Sequence, residues 1–118
     1  MIGSNAPDAE SNIDEAYKSL RRDKTISNFR HSQKIISRDY TNNGPDYINL
    51  VIAAETRKDI KYLTSLFKEI EASVARLRPS SPDTVAIDID LVEYNDTVLK
   101  HAEHNSEAYH IGSLQITL

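Results

Sequence analysis

The sequence predicts an α+β sandwich, an antiparallel sheet carrying two helices on one face. Three observations carry that expectation. Residues 8 to 22 and 57 to 76 place apolar side chains at helical spacing. The stretches "YINLVIAAE" at 47–55 and "VAIDIDLVEY" at 85–94 instead have the period and composition of strands. At 118 residues the chain 1–118 reads as a single domain with room for a modest core.

The chain opens with an apolar stub, Met1 and Ile2, and Gly3, Ser4 and Asn5 read as the turn that ends a strand. Pro7 and Asp8 suit a helix entrance. Ile13, Ala16, Tyr17 and Leu20 then recur at i, i+3, i+4 and i+7. From Thr25 to Tyr40 a loosely patterned strand is expected, with Ile26, Phe29, Ile35 and Ile36 as its apolar positions. "YTNNGPDY" has turn chemistry. In the strand that follows, Ile48, Leu50, Ile52 and Ala54 share one face, and Tyr47, Asn49, Val51 and Ala53 the other.

Thr56 with Asp59 three residues on has the spacing of a capping box. Ile60, Leu63, Phe67, Ile70 and Val74 mark the buried stripe of the second helix. Its end is basic, at Arg76 and Arg78, before the breakers of "PSSPD". The strand 85–94 comes next, and "YHIGSLQITL" at 109–118 is expected to add one short strand. The order β-α-β-β-α-β is the ferredoxin-like arrangement, a superfold that by itself says nothing about function.

Composition narrows the function. Hydrophobic content of 39% and charged content of 27% suit a soluble globular protein. A net charge of −4 and a pI near 5.5 argue against a general nucleic-acid binder. There is no cysteine, which excludes disulfides and thiolate metal sites. The longest unbroken apolar run, 50 to 54, is too short to span a bilayer, and no signal core follows the N-terminus. A cytoplasmic protein with no membrane partner is the expectation.

Asp88 and Asp90 lie two apart on a strand, so their carboxylates share a face. Two hard oxygen donors on a rigid element suit magnesium with room left for water and phosphate. The same alternation also describes a half-exposed sheet face with no ligand. Tyr47 and Asn49 share a face as well: an amide offers a donor and an acceptor to a flat heterocycle, and an aromatic beside it can stack. An ordinary polar pair would look the same. Arg76 and Arg78 offer planar forks to phosphate, and also complement a helix C-terminus. His101, His104 and His110 match no zinc spacing and read as a solvated segment. Glycine-rich phosphate loops are absent from the sequence.

Four stretches in order resemble the 6-hydroxymethyl-7,8-dihydropterin pyrophosphokinases of folate biosynthesis: "IGSN" at 2–5, "PDYIN" at 45–49, "KEIEASVARLR" at 68–78 and "IDIDLVEYNDTVL" at 87–99. The resemblance covers about 2–99 and leaves 100–118 as a divergent tail. It implies transfer of a pyrophosphoryl group from ATP to the hydroxymethyl oxygen of a reduced pterin, with release of AMP and with Mg2+, two ions in the active state. By the same resemblance Asp88 and Asp90 are the metal ligands and, with Arg76, the catalytic set. Tyr47, Asn49, Glu71 and Ser37 serve the pterin side, and Arg76 and Arg78 the ATP side.

The departures lie on the triphosphate side. Where the family has a mobile loop with a tryptophan and arginines, this chain reads "PSSPDTVA", and Val85 stands in place of the last arginine. The family's histidine-containing ATP segment does not match "KHAEHNSEAYH", and the first strand is nearly missing. Phosphoryl transfer depends on positioning and positive charge, so slowed turnover is expected, or a non-catalytic pterin-binding or interaction module on the same fold. A ligand-free assembly domain is a third reading. The unfinished sheet edge would also invite pairing with a second copy, a homodimer.

Overall fold

The structure, a computed structural model, describes residues 1–39, 41, 43–77, 83–99 and 106–117. Its elements are β1 (Ile2–Ser4), α1 (Ala9–Arg21), β2 (Ile26–His31), β3 (Ile35–Ser37), β4 (Tyr47–Leu50), β5 (Ile52–Thr56), α2 (Ile60–Leu77), β6 (Asp88–Ile89), β7 (Glu93–Tyr94), β8 (Thr97–Val98) and α3 (Ser106–Thr117). The expected α+β class holds. A sheet in the order β3-β4-β1-β6 is antiparallel at every pairing, and β2 pairs with β5 beside it.

The helical stripes are buried as their spacing requires. Ile13, Ala16, Tyr17 and Leu20 from α1 meet Leu63, Ile70 and Val74 from α2 over Ile2, Leu50 and Ile89 of the sheet. Ile60 leaves the stripe and is exposed. Helix α2 begins later than the capping-box reading had it. Asp59 is the cap, its Oδ1 accepting from the amide of Tyr62 at 2.9 Å, while the Thr56 hydroxyl accepts from the amide of Lys58 and donates to the Thr25 carbonyl.

Strand boundaries differ from the sequence reading in four places. Gly3 and Ser4 are strand residues, not a turn, and β1 is an interior strand flanked by β4 and β6. The stretch 25–40 is two strands separated at Ser32, and 47–55 is broken at Val51 opposite it. There the Ser32 amide donates to the Val51 carbonyl at 2.9 Å, and the Ser32 hydroxyl accepts from the Val51 amide at 3.0 Å. A side chain has taken one rung of the ladder, which lets the long hairpin bend. The stretch 85–94 keeps regular pairing only in β6; β7 then turns into β8 through Asn95 and Asp96, both at positive φ.

The tail is the larger correction. Residues 106–117 form a helix, not a strand. Ala108 and Gly112, four residues apart, present a small-residue face, and both are buried. A Cβ on Gly112 would overlap Val51 and reach 3.2 Å from Ile35 Cδ1. Ile35 pairs with Asn49, so α3 lies on the face opposite α1 and α2.

Candidate active site

Strand register assembles the polar face. Gly3 on β1 lies between Asn49 on β4 and Asp88 on β6. On β3, Ile35 opposes Asn49 and Ser37 opposes Tyr47. By the pleat these side chains point away from α1 and α2. A Cβ at Gly3 would stand 2.9 Å from Asn49 Oδ1 and 3.6 Å from Tyr47 Cδ2. The missing side chain therefore leaves a buried glycine floor between the Tyr47–Asn49 pair and Asp88.

Asn49 is 1% exposed, and its orientation follows from its partners. Nδ2 donates to the Ile35 carbonyl at 3.1 Å and to Ser37 Oγ at 2.7 Å. A carbonyl can only accept, so both N–H groups are committed to β3 and Oδ1 is turned over Gly3. The amide thus presents an acceptor, which suits the N–H edge of a heterocycle. Ser37 serves this site by holding Asn49.

At the other end of the floor, Met1 and Asp90 exchange two backbone hydrogen bonds, 2.8 Å from the Met1 ammonium to the Asp90 carbonyl and 2.9 Å from the Asp90 amide to the Met1 carbonyl. Burial lowers that ammonium to about 6, and the charges of Asp90 and Asp88 oppose the fall. Glu71 reaches in from α2. Its Oε2 accepts from the Ile89 amide at 2.8 Å, the outward N–H of an edge strand. Burial raises the Glu71 carboxyl above its usual range, and the charge and hydrogen bond of Asp88 push it the same way.

Sequence reasoning missed the residues that hold the loops. Asn5 donates through Nδ2 to the Pro45 carbonyl at 3.2 Å and accepts the Val85 amide on Oδ1. Ser4 Oγ donates to the Val85 carbonyl at 3.1 Å. One turn after β1 thus ties the entrance of the Tyr47 strand to the entrance of the Asp88 strand. Asn12 on α1 adds a bond to the Ala86 carbonyl at 2.9 Å. Asp39, buried, accepts from the Thr41 hydroxyl at 2.6 Å and the Gly44 amide at 2.9 Å, which hold its carboxyl below the usual range. The "GSN" triplet was the available signal, because a strand end with two short polar side chains is able to clamp neighbouring loops.

Not every expected residue converges. Arg76 is exposed in the last turn of α2, about 140° around the helix from Glu71. Arg78 lies outside the described residues, as do His101 and His104, while His110 is on the exposed side of α3. Among the described residues no three His, Asp or Glu side chains form a metal cage. Asp88 and Asp90 fit a hard cation held by few protein oxygens, the mode of Mg2+. No described helix is long and apolar enough to cross a membrane.

A family model described as 7,8-dihydro-6-hydroxymethylpterin-pyrophosphokinase (HPPK) matches residues 1–116. No curated protein matches the chain.

Proposed function

We propose that this chain, which belongs to the 7,8-dihydro-6-hydroxymethylpterin-pyrophosphokinase family, binds a reduced pterin on the Tyr47–Asn49 face and carries out a slowed pyrophosphoryl transfer from ATP. The orientation of Asn49 carries the reading. Both its N–H groups are engaged by β3, and its oxygen overlooks the floor that leads to Asp88. A pterin whose N–H edge meets that oxygen lies along the Gly3 floor, with its hydroxymethyl group directed toward β6. Tyr47 flanks the same floor and limits the ring's tilt.

In the transfer, the hydroxymethyl oxygen forms a bond to the β-phosphorus of ATP. The bond from that phosphorus to the oxygen bridging to the α-phosphate breaks, AMP leaves with the electron pair, and the hydroxyl proton is released. Asp88 and Asp90 would hold Mg2+, which when bound supplies charge neutralisation at the phosphates. Glu71 fixes the β6 edge through Ile89, beside Asp88. Asn5 and Ser4 keep the two loop entrances in register, so that pterin and carboxylates meet at a set spacing.

A second reading has its own observation. Residues 79–85 contain no arginine or tryptophan, and Arg76 is exposed away from Glu71. A site with recognition on one side and little positive charge on the other describes a pterin-binding module without catalysis.

The deciding experiment is AMP formation from ATP, Mg2+ and 6-hydroxymethyl-7,8-dihydropterin, with Asp88→Asn as control. Pterin-dependent AMP that disappears in the variant establishes the transfer. Saturable pterin binding without AMP, and without dependence on nucleotide, selects the module. Unchanged Mg2+ affinity in Asp88→Asn would remove Asp88 from the metal assignment.

A further inference from the structure

Two turns meet where α1 stops and α2 starts. Ile26 pairs with Thr56, the Thr56 hydroxyl donates to the Thr25 carbonyl at 3.0 Å, and the Tyr62 hydroxyl donates to Asp23 Oδ2 at 2.7 Å. The segments so joined, 21–25 and 55–62, hold six Lys and Arg against three Asp and Glu, or +3 in a chain whose total is −4. All six cations, Arg21, Arg22, Lys24, Arg57, Lys58 and Lys61, are exposed. Among the described residues the ion pairs are those of Lys34 with Glu10 and Asp14, and none involves these six.

The three carboxylates are engaged within the fold. Asp23 accepts from the Thr25 amide at 2.8 Å and from the hydroxyls of Thr25 and Tyr62. Glu55 accepts from Asn28 Nδ2 at 2.6 Å, and Asp59 caps α2. The helix dipole accounts for Arg21 and Arg22 at the C-terminal end of α1. It opposes the other turn: Arg57 and Lys58 precede the cap of α2, Lys61 lies in its first turn, and that turn holds no acidic residue. The fold thus keeps three cations where its own electrostatics disfavour them, a cost that an anionic partner offsets. Ile60 and Tyr62 are exposed among these charges, and an open groove of about 630 Å³ runs past Arg57 and Lys58.

We propose that this surface docks an acidic segment of a partner polypeptide, its carboxylates on the six cations and an apolar side chain on Ile60 and Tyr62. Charge complementarity selects an anion. The exposed apolar pair selects a polypeptide, since protein interfaces combine an aromatic or aliphatic contact with a charged rim. Tyr62 is held by Asp23 and offers a ring of fixed orientation, as an anchor residue should. Glu55 lines the groove and Asp59 stands beside it, so a continuous row of phosphates would press against carboxylates. A segment that alternates acidic and neutral side chains avoids them.

The test uses the full chain and a fluorescein-labelled peptide, Asp-Glu-Asp-Phe-Glu-Leu-Asp-Glu. Saturable binding is expected, weakening as salt is raised. Arg57→Glu combined with Lys61→Glu should weaken it at least ~tenfold while raising the melting temperature, because acids then stand at the N-terminal end of α2. Lys24→Glu, on the other turn, should weaken it as well. Unchanged binding in either variant overturns the proposal. So does equal binding of a peptide with Ser in place of Phe and Leu, which would mean attraction by charge alone. Tighter binding of single-stranded RNA or of phosphatidylserine vesicles would make the partner a nucleic acid or a membrane and also overturns it. Concentration-dependent assembly that Arg57→Glu with Lys61→Glu abolishes does the same, since a second copy would then be the occupant. Pterin, ATP and Mg2+ are absent from this assay, so its outcome is independent of the catalytic reading.

Discussion

Glu71 and Asp88 are joined twice: their carboxyl groups interact directly, and Glu71 Oε2 accepts the amide of Ile89, the residue after Asp88, at 2.8 Å. A helix side chain thus fixes both the charge and the backbone of the strand that carries the candidate metal ligands. Edge strands leave alternate N–H groups unpaired, and Glu71 satisfies one at the position where it matters to the site.

Replacing Glu71 by glutamine separates these roles. The folded-state pKa of Glu71 is raised, so its protonated form is favoured by the fold. Its contribution to stability is full below the unfolded pKa and is lost as pH rises through the folded pKa. Glu71→Gln keeps an acceptor for Ile89 and a donor for Asp88 but cannot ionise. The variant should therefore melt higher than the parent at neutral pH, with the difference closing as pH falls into the ordinary carboxylate range. Thermal melts across that range check it. Equal melting curves at neutral pH would mean that the raised pKa carries no linkage.

Gly3→Ala tests the glycine floor. The added Cβ would stand 2.9 Å from Asn49 Oδ1, close enough that the amide must move. Asn49 is anchored by Ser37 and Ile35 and has little room to give. A loss of ~1–3 kcal/mol in denaturant unfolding is expected from the overpacking. Pterin affinity, read by the ring's fluorescence, should fall at least ~tenfold, the value of one misplaced hydrogen bond of about 1.4 kcal/mol. Ile13→Val, in the core on the opposite side of the sheet, should lose stability with pterin affinity retained. If the two variants behaved alike, the floor would have no special place in recognition.

What could be read from the sequence was what depends on period. Ile13 to Leu20 and Leu63 to Val74 gave both core helices, and the i, i+2 spacing put Asp88 with Asp90 and Tyr47 with Asn49. What could not be read depends on partners distant in the chain. Nothing near Asn49 says that Ser37 and Ile35 will use both of its N–H groups. Nothing near Val51 says that the Ser32 hydroxyl will take its amide and end the strand. The tail was misread because a stretch holding both Ile111 and Gly112 has weak helical character on its own. Its helix is explained by the small-residue face that meets Val51, a contact 61 positions away from Gly112 in the chain (112 − 51).

The turn between β7 and β8 is strained in a way that one substitution should relieve. Asn95 at φ 50° and Asp96 at φ 67° both occupy the left-handed region, as a two-residue hairpin turn of this type requires. Asparagine tolerates that region well, and the second position favours glycine. Asp96→Gly should stabilise the fold by ~0.5 kcal/mol, since the relief of strain exceeds the added freedom of the unfolded chain. Asp96→Val, with its branched side chain, should cost ~1–2 kcal/mol. Urea midpoints for the pair check the order, and a reversed order would rule out positive φ as the controlling feature.

Gly112 and Val51 should behave as a coupled pair. Alanine is the better helix former by ~1 kcal/mol, so an exposed glycine at this point of α3 would be improved by Gly112→Ala. Here the added methyl would overlap Val51, and Ile35 Cδ1 stands 3.2 Å away, so the substitution should instead destabilise by ~1–3 kcal/mol. Val51→Ala alone should also destabilise, by removing apolar contact beneath the helix. In the double variant the methyl of Ala at 112 enters the space that Val51 gives up. The two losses should therefore fail to add, leaving a coupling of ~1 kcal/mol or more in a double-mutant cycle. The cycle also tests the register of α3 on the sheet: additive losses would place Gly112 away from Val51.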